Sequence, residues 1–320
     1  MKIVIPGGGG QVGTMLARAF HFDGIEVVTL SRNPIPAPWR GVRWDGRSVS
    51  GDWVKEIDGC HVVINMAGKN VNCRYNADNR REILESRVDS VKAVGEAIAK
   101  AVHPPRVWLQ ASTATIYAHR YDAPNNEASG ILGGSEPNVP ETWRFSTEVA
   151  GAWERALAEA VTPNTRKVAL RSAMTMSPDK GGVFDTLLNL VRCGLGGQSG
   201  DGRQYVSWIH EADFVRAIAW LISHNDVEGP VNLAAPLPIT NAEFMRALRD
   251  AWGAKVGLPA APWMLEVGAT LLKTETELVL KSRRVIPGRL LEAGFWFDYP
   301  VWTAAAQELC ERVRRSGRLA

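Results

Sequence analysis

The chain has no apolar run approaching the ~18 residues that a membrane span needs, and its first strand-like stretch starts directly after Met1. That leaves no room for a signal peptide and makes a cytoplasmic protein the expectation. Cysteine is scarce. Cys60, Cys73, Cys193 and Cys310 fall at no metal-binding or redox spacing, so reduced thiols and no metal are expected. Excess charge of one sign is missing too. The net charge of +3 over 320 residues is too small to imply a nucleic-acid or membrane partner. Tyrosine is thin, with five residues against 12 tryptophans. Most of those tryptophans are read as structural, with Trp208, Trp252, Trp263 and Trp296 as candidates for an apolar substrate surface.

What is present begins at once. Ile3 to Ile5 form a short apolar run that stops at Pro6 and four glycines. Val12, Met15, Leu16, Ala19 and Phe20 then recur at helical spacing, and Val27, Val28 and Leu30 form a second apolar run. Strand, glycine turn, helix and strand make the opening βαβ unit of a dinucleotide-binding fold. Glycine lets the backbone turn tightly and lets a pyrophosphate approach the helix N-terminus. Two registers fit, Gly8-x-Gly10-x-x-Gly13 and Gly7-x-x-Gly10-x-x-Gly13. A site for NAD usually places a carboxylate about 20 residues on, at the ribose 2′-hydroxyl. Here that place holds Ser31-Arg32-Asn33. A hydroxyl and a planar fork of guanidinium donors suit a 2′-phosphate, so the expected cofactor is NADP(H).

Further on, a third strand is expected at Val42 to Asp45 and a fourth at Val62 to Ile64, ending in Asn65-Met66-Ala67-Gly68. A long amphipathic helix follows from about Asn76 to Val102. A fifth strand from Val107 runs into Gln110-Ala111-Ser112-Thr113, residues 118–142 read as loop, and a helix returns around Phe145 to Ala160. A sixth strand covers Lys167 to Arg171. Alternating strands and helices predict an α/β fold, a Rossmann-like doubly wound parallel sheet with helices on both faces. Beyond Ser172 the texture changes. Thr240 and Glu243 form a capping box, and after Leu258 apolar helices alternate with prolines. The expected division is a Rossmann domain over 1–235 and a smaller, mostly helical C-terminal substrate lobe over 236–320, to which 176–203 contributes.

With these elements in hand, the chain resembles the extended short-chain dehydrogenases/reductases. More narrowly it resembles the atypical YfcH/SulA-like predicted NAD(P)-dependent epimerases, which carry a C-terminal domain of unknown function. The carriers are Gly7-Gly10-Gly13, Ser31-Arg32, Asn65-Met66-Ala67-Gly68, residues 81–87 (REILESR), the GLGG loop at 194–197, Ser207-Trp208-Ile209-His210, residues 240–244 (TNAEF), Arg284-Val285-Ile286-Pro287 and Gly294-Phe295. The resemblance implies that Gly7, Gly10, Gln11, Val12 and Gly13 wrap the pyrophosphate and that Ser31 and Arg32 take the 2′-phosphate. It further implies that Met66, Ala67 and Gly68 line the adenosine and ribose side, that Glu82 and Arg87 contact the cofactor from the long helix, and that Ala111, Ser112 and Thr175 meet its nicotinamide end. By analogy the two longest helices would pair subunits in a homodimer.

The sequence also departs from that pattern. The superfamily's acid/base is a Tyr-x-x-x-Lys pair, in which the lysine lowers the tyrosine pKa. Here Phe145 stands in the tyrosine's place and Val149 in the lysine's. Ser112, Thr113 and Tyr117 are the candidate substitutes. His119, Arg120 and Tyr121 read as exposed loop residues, and His210 as a structural hydrogen bond at a helix start. Nucleotide-sugar enzymes commonly carry Arg-Asp before the aromatic-Ile-His stretch, whereas this chain has Val206-Ser207. Arg192 and Arg203 are the remaining sources of positive charge. The expected function is that of an NADP(H)-dependent oxidoreductase or epimerase on a small substrate, the alternative a non-catalytic NADP(H)-binding sensor or assembly partner.

Overall fold

In the computed structural model, residues 1–261 and 277–318 are described. The organising element is a seven-stranded sheet in the order β10-β6-β5-β4-β1-β2-β3. Its strands are β1 (Lys2–Pro6), β2 (Glu26–Ser31), β3 (Arg40–Arg43), β4 (Val62–Asn65), β5 (Val107–Thr113), β6 (Arg166–Ser172) and β10 (Gly229–Leu233), and every pairing is parallel. The strand period of two sorts the apolar residues between two cores. Ile3, Ile5, Val62, Ile64, Val107 and Leu109 face α1 (Gln11–Phe22) and α6 (Glu211–Ser223). Val4, Val28, Val63 and Trp108 face α2 (Asp52–Ile57), α3 (Ala77–Lys100) and α4 (Glu141–Glu159). Near-continuous apolar strands are what a sheet covered on both faces requires.

The strand order reverses between β1 and β4, so the carboxyl ends of these two strands open the crevice where such sheets bind ligands. The third strand runs Arg40–Arg43, two residues earlier than expected. Trp44 leaves the sheet to bury against Trp53, and both indole N–H groups donate to the Ser48 carbonyl.

A third core lies beside the sheet. It gathers Met176, Phe184 and Leu188 with Trp208, Phe244, Leu248, Trp302 and Leu309. These residues come from β7 (Met174–Met176), α5 (Val183–Arg192), β9 (Trp208–His210), α7 (Asn241–Trp252) and the final helix (Trp302–Arg318). The smaller core thus draws on residues before 235, while Leu290, Phe295 and Phe297 from the C-terminal part pack into the sheet's own core. Trp208 is fully buried, edge-on to Trp302, and forms no surface. Trp252 is half-buried between Arg192 and Arg314, and Trp296 is 75% exposed. Trp263 lies outside the described residues.

The exit from β4 is held by a buried polar knot. Asn65 Nδ2 donates to Gln110 Oε1 at 2.9 Å, Asn65 Oδ1 accepts from the Ala67 N–H at 3.0 Å, and Trp108 Nε1 donates to the same Gln110 oxygen at 3.1 Å. Asn65 is fully buried, so its loss leaves buried groups without partners. Asn65→Ala is expected to lower the free energy of unfolding by about 2–3 kcal/mol, measured by urea denaturation.

Candidate functional site

At the end of β1 the chain turns at Gly7, whose φ of 79° lies in the left-handed region. A Cβ there would sit 2.5 Å from the backbone of Met66 and Ala67, and one on Gly13 would sit 2.6 Å from the Gly7 carbonyl oxygen. Three backbone segments therefore meet where no side chain fits. α1 starts at Gln11, and its N-cap, Gly10, makes no side-chain cap bond. The positive end of the helix faces outward, the arrangement that receives a pyrophosphate.

This turn forms one wall of a cavity of about 260 Å³. Gly7, Gly10, Gln11, Val12, Gly13, Met66, Ala111, Ser112 and Thr175 line it, nine of the fifteen residues expected at the cofactor. Ser172 and Phe214 line it as well and escaped the sequence reading. Ser172 pairs in register with Thr113, so an alignment of strand ends would have located it. Gln11 Nε2 is buried without a hydrogen-bond partner. A buried amide with nothing to bond, a side-chain-free turn and a bare helix start all fit a polar ligand lying along this edge.

The other expected residues ring this cavity or lie beyond it. Ser31 ends β2, its Cβ 3.2 Å from where a Cβ of Gly9 would stand, and Arg32 beside it is exposed. Gly68 packs on the Arg87 side chain. Glu82 is exposed and ion-paired with Lys69, whose hydrogen bond holds its carboxyl below the usual range. Arg87 turns inward. Its guanidinium lies 5.0 Å from the Trp153 ring centre and donates to the Ile83 carbonyl at 2.9 Å, and burial draws its pKa down to about 10.

A second cavity, of about 120 Å³, touches the end of the same strand β5. Its apolar wall is Val71, Ile83, Phe145, Val149 and Trp153, and its polar groups come from Tyr75, Arg87, Thr113, Thr115, Ser146, and finally Glu277 and Arg283. The last two reach in from the C-terminal part, where α8 (Glu277–Leu280) begins. Ser146 Oγ donates to Glu277 Oε2, Lys281 Nζ donates to the Thr115 carbonyl at 2.9 Å, and Arg283 Nε donates to Thr115 Oγ1 at 3.2 Å. The following segment is stitched to the loop after β5. The Asn125 N–H donates to the Arg284 carbonyl, and the Ile286 N–H donates to that of Asn125. Residues 284–287 are thus an added edge for that loop, which explains the motif physically.

Of the three proposed acid/base groups, two reach cavities. Ser112 lines the first, with its Oγ donating to Glu154 Oε1 at 2.6 Å. Thr113 lines the second, with its Oγ1 accepting from the Thr115 N–H. Tyr117 reaches neither. It is 2% exposed, and its hydroxyl accepts from Arg171 at 2.9 Å and donates to Asn232 at 3.0 Å. Burial pushes its pKa up. The short 3₁₀ turn at Ala114–Ile116 swings it into the core, so it joins the structural pair of Arg171 and Glu154, bonded twice at 2.8 Å. His210 caps α6, accepting from the Ala212 N–H. His119 accepts from the Ser282 N–H, Arg120 pairs with Asp122, and Tyr121, 41% exposed, lies near the Arg203 guanidinium.

A doubly wound parallel sheet with this glycine turn and a ligand cavity at the switch in strand order defines an α/β protein of the Rossmann dinucleotide-binding type. Residues 3–234 match the family model described as NAD dependent epimerase/dehydratase family, and residues 260–309 match a domain of unknown function, DUF1731. The chain belongs to that epimerase/dehydratase family. It is 32% identical over 315 residues to the epimerase family protein SDR39U1 of Bos taurus, covering 97% of this chain and 99% of that one. The human SDR39U1 (isoform 2) structure with NADPH superposes with a TM-score of 0.84 at 30% identity, covering 97% and 99% of the two chains. A nucleoside-diphosphate sugar epimerase from Corynebacterium glutamicum superposes at 0.74 with 28% identity, covering 97% of this chain and 58% of that one.

Adding a methyl group at Gly13 forces the turn away from the Gly7 carbonyl. Gly13→Ala is expected to cost about 1–3 kcal/mol of stability, the usual range for overpacking, seen as a lower urea midpoint with an unchanged slope.

Proposed function

We propose that the protein is an NADP(H)-dependent oxidoreductase or epimerase-like enzyme acting on a small molecule bound beside the end of β5. The observation that carries this reading is the convergence of nine expected cofactor residues on one cavity at the switch in strand order. Ser31 and Arg32, with no carboxylate at the end of β2, support the 2′-phosphate form, and NADPH in the human SDR39U1 structure agrees with that choice. Gly7, Gly10, Gln11, Val12 and Gly13 would hold the pyrophosphate, Met66, Ala67 and Gly68 the adenosine and ribose side, Glu82 and Arg87 the edge facing α3, and Ala111, Ser112 and Thr175 the nicotinamide end. Bound there, the cofactor supplies or accepts a hydride. Thr113, with Ser112 behind it, would orient the reacting oxygen of the substrate. Tyr117 is left out of this assignment because its hydroxyl is occupied in the core.

A second reading is favoured by one observation. Phe145 and Val149, where the superfamily has its acid/base pair, belong to a compact apolar cluster with Ile83, which favours a non-catalytic NADP(H)-binding sensor or assembly partner. NADPH oxidation by any small carbonyl compound decides against that reading. For the cofactor itself, NADPH is expected to bind more tightly than NADH. Arg32→Ala should cut that preference about tenfold or more, the loss of one charge-assisted contact, measured by fluorescence titration. Equal affinities in both proteins would remove Arg32 from the site.

A further inference from the structure

The second cavity contains a phenol that the family pattern does not assign. Tyr75 sits in the loop before α3, and its ring meets the Phe145 ring edge-to-face, with centroids 5.3 Å apart and planes at 70°. Phe145 occupies the place where the superfamily carries its tyrosine. The phenol is therefore present next to the expected position but arrives from a different element. Tyr75 lines the cavity together with Thr113, the last residue of β5. Ser112, one residue earlier, lines the cofactor cavity. The end of β5 thus brings the phenol's cavity next to the one where the nicotinamide end is proposed to lie.

We infer that Tyr75 is the proton donor of this site and that the cavity it shares with Thr113 takes a small carbonyl compound with one apolar face. This inference rests on the oxidoreductase reading above. The substrate class follows from the lining. Val71, Ile83, Val149 and the rings of Phe145 and Trp153 form an apolar wall, opposed by hydroxyls of Thr113, Thr115 and Ser146. Glu277 lies 3.6 Å from Arg283 and 3.9 Å from Lys281, and Arg87, its guanidinium over the Trp153 ring, adds a further positive charge to the lining, which suits the electron-rich oxygen of a carbonyl group.

The chemistry balances with groups already named. Hydride from the reduced cofactor bonds to the carbonyl carbon as the C–O π bond breaks. Tyr75 Oη gives its proton to the oxygen that receives that electron pair, and the phenolate left behind regains a proton from solvent when the product leaves. Arg87 and Arg283 favour the phenolate electrostatically, the part a lysine at position 149 plays elsewhere, and Ser146 hydrogen-bonds the same group. Burial first, and then Glu277, outweigh them and push the Tyr75 pKa up to about 12. At neutral pH the phenol keeps its proton and has it to give to the substrate oxygen.

The test follows NADPH oxidation by the full chain with 4-nitrobenzaldehyde, methylglyoxal and cyclohexanone, beside a crystal structure of its NADPH complex. Tyr75→Phe keeps the ring contact with Phe145 and removes only the hydroxyl. It should lower kcat about 100-fold or more, the usual contribution of a general acid. NADPH affinity should stay at its wild-type value while the melting temperature falls by only a few degrees, the cost of one buried hydrogen bond, and all properties of Tyr121→Phe on the exposed loop should stay at wild type. In the NADPH complex the Tyr75 hydroxyl should lie within about 6 Å of the nicotinamide C4, room for one carbonyl group between them. Wild-type turnover by Tyr75→Phe, or a hydroxyl farther from C4 than that, overturns the inference and leaves the oxidoreductase reading standing. NADPH binding without turnover of any of the three probes by the wild type overturns both.

Discussion

Three stretches of backbone come together at Gly7, Gly13 and Met66-Ala67 with no space for a side chain between them, and the site depends on that contact. It fixes where β1 stops, how α1 leaves and how β4 exits, so the crevice at the switch in strand order has its shape before any ligand arrives. The buried knot of Asn65, Gln110 and Trp108 serves the same end from beneath, because Asn65 ties the Ala67 N–H into the turn that Gly7 packs against. Sheet and cavity are thus held by one set of short-range constraints. A rigid scaffold of this kind is what lets loops and a second core vary around it.

The C-terminal part is attached by a different kind of contact. Glu277 and Lys281 are buried and Arg283 is partly buried where they meet the turn after β5, and the segment through Ile286 is hydrogen-bonded to the loop around Asn125. Buried charges are costly to desolvate and add little net stability, yet removing one partner leaves the others uncompensated. Such a joint specifies how the two parts fit more than how strongly they bind. It also places charges from the end of the chain next to Thr115, two residues beyond the end of β5.

Much of the edge of the first cavity was legible in the sequence because its determinants are local. A glycine turn after a strand, an arginine instead of a carboxylate at the end of β2, and residues at strand ends each carry their meaning within a few positions. The alternation of strand and helix patterns along the chain revealed a sheet covered on both faces for the same reason. What was not legible depends on long-range approach. Tyr75 comes to lie against Phe145, 70 residues later, only because α3 packs on α4, and Glu277 and Arg283 arrive from the other end of the chain. Tyr117 misled for the converse reason. It is four residues from Thr113, but the 3₁₀ turn between them sends its hydroxyl to Asn232, 115 residues away.

The edge-to-face contact of Tyr75 with Phe145 and the stacking of Arg87 on Trp153 also bear on descent. A lysine restored at position 149 would enter a wall that already holds the Arg87 guanidinium, and a tyrosine restored at 145 would bring a second phenol against the first. Each reversion alone meets a neighbour suited to the present arrangement, and both together still leave Arg87 where the lysine's charge is needed. Restoring the superfamily's helix-borne pair at 145 and 149 therefore calls for changes at Tyr75 and Arg87 as well.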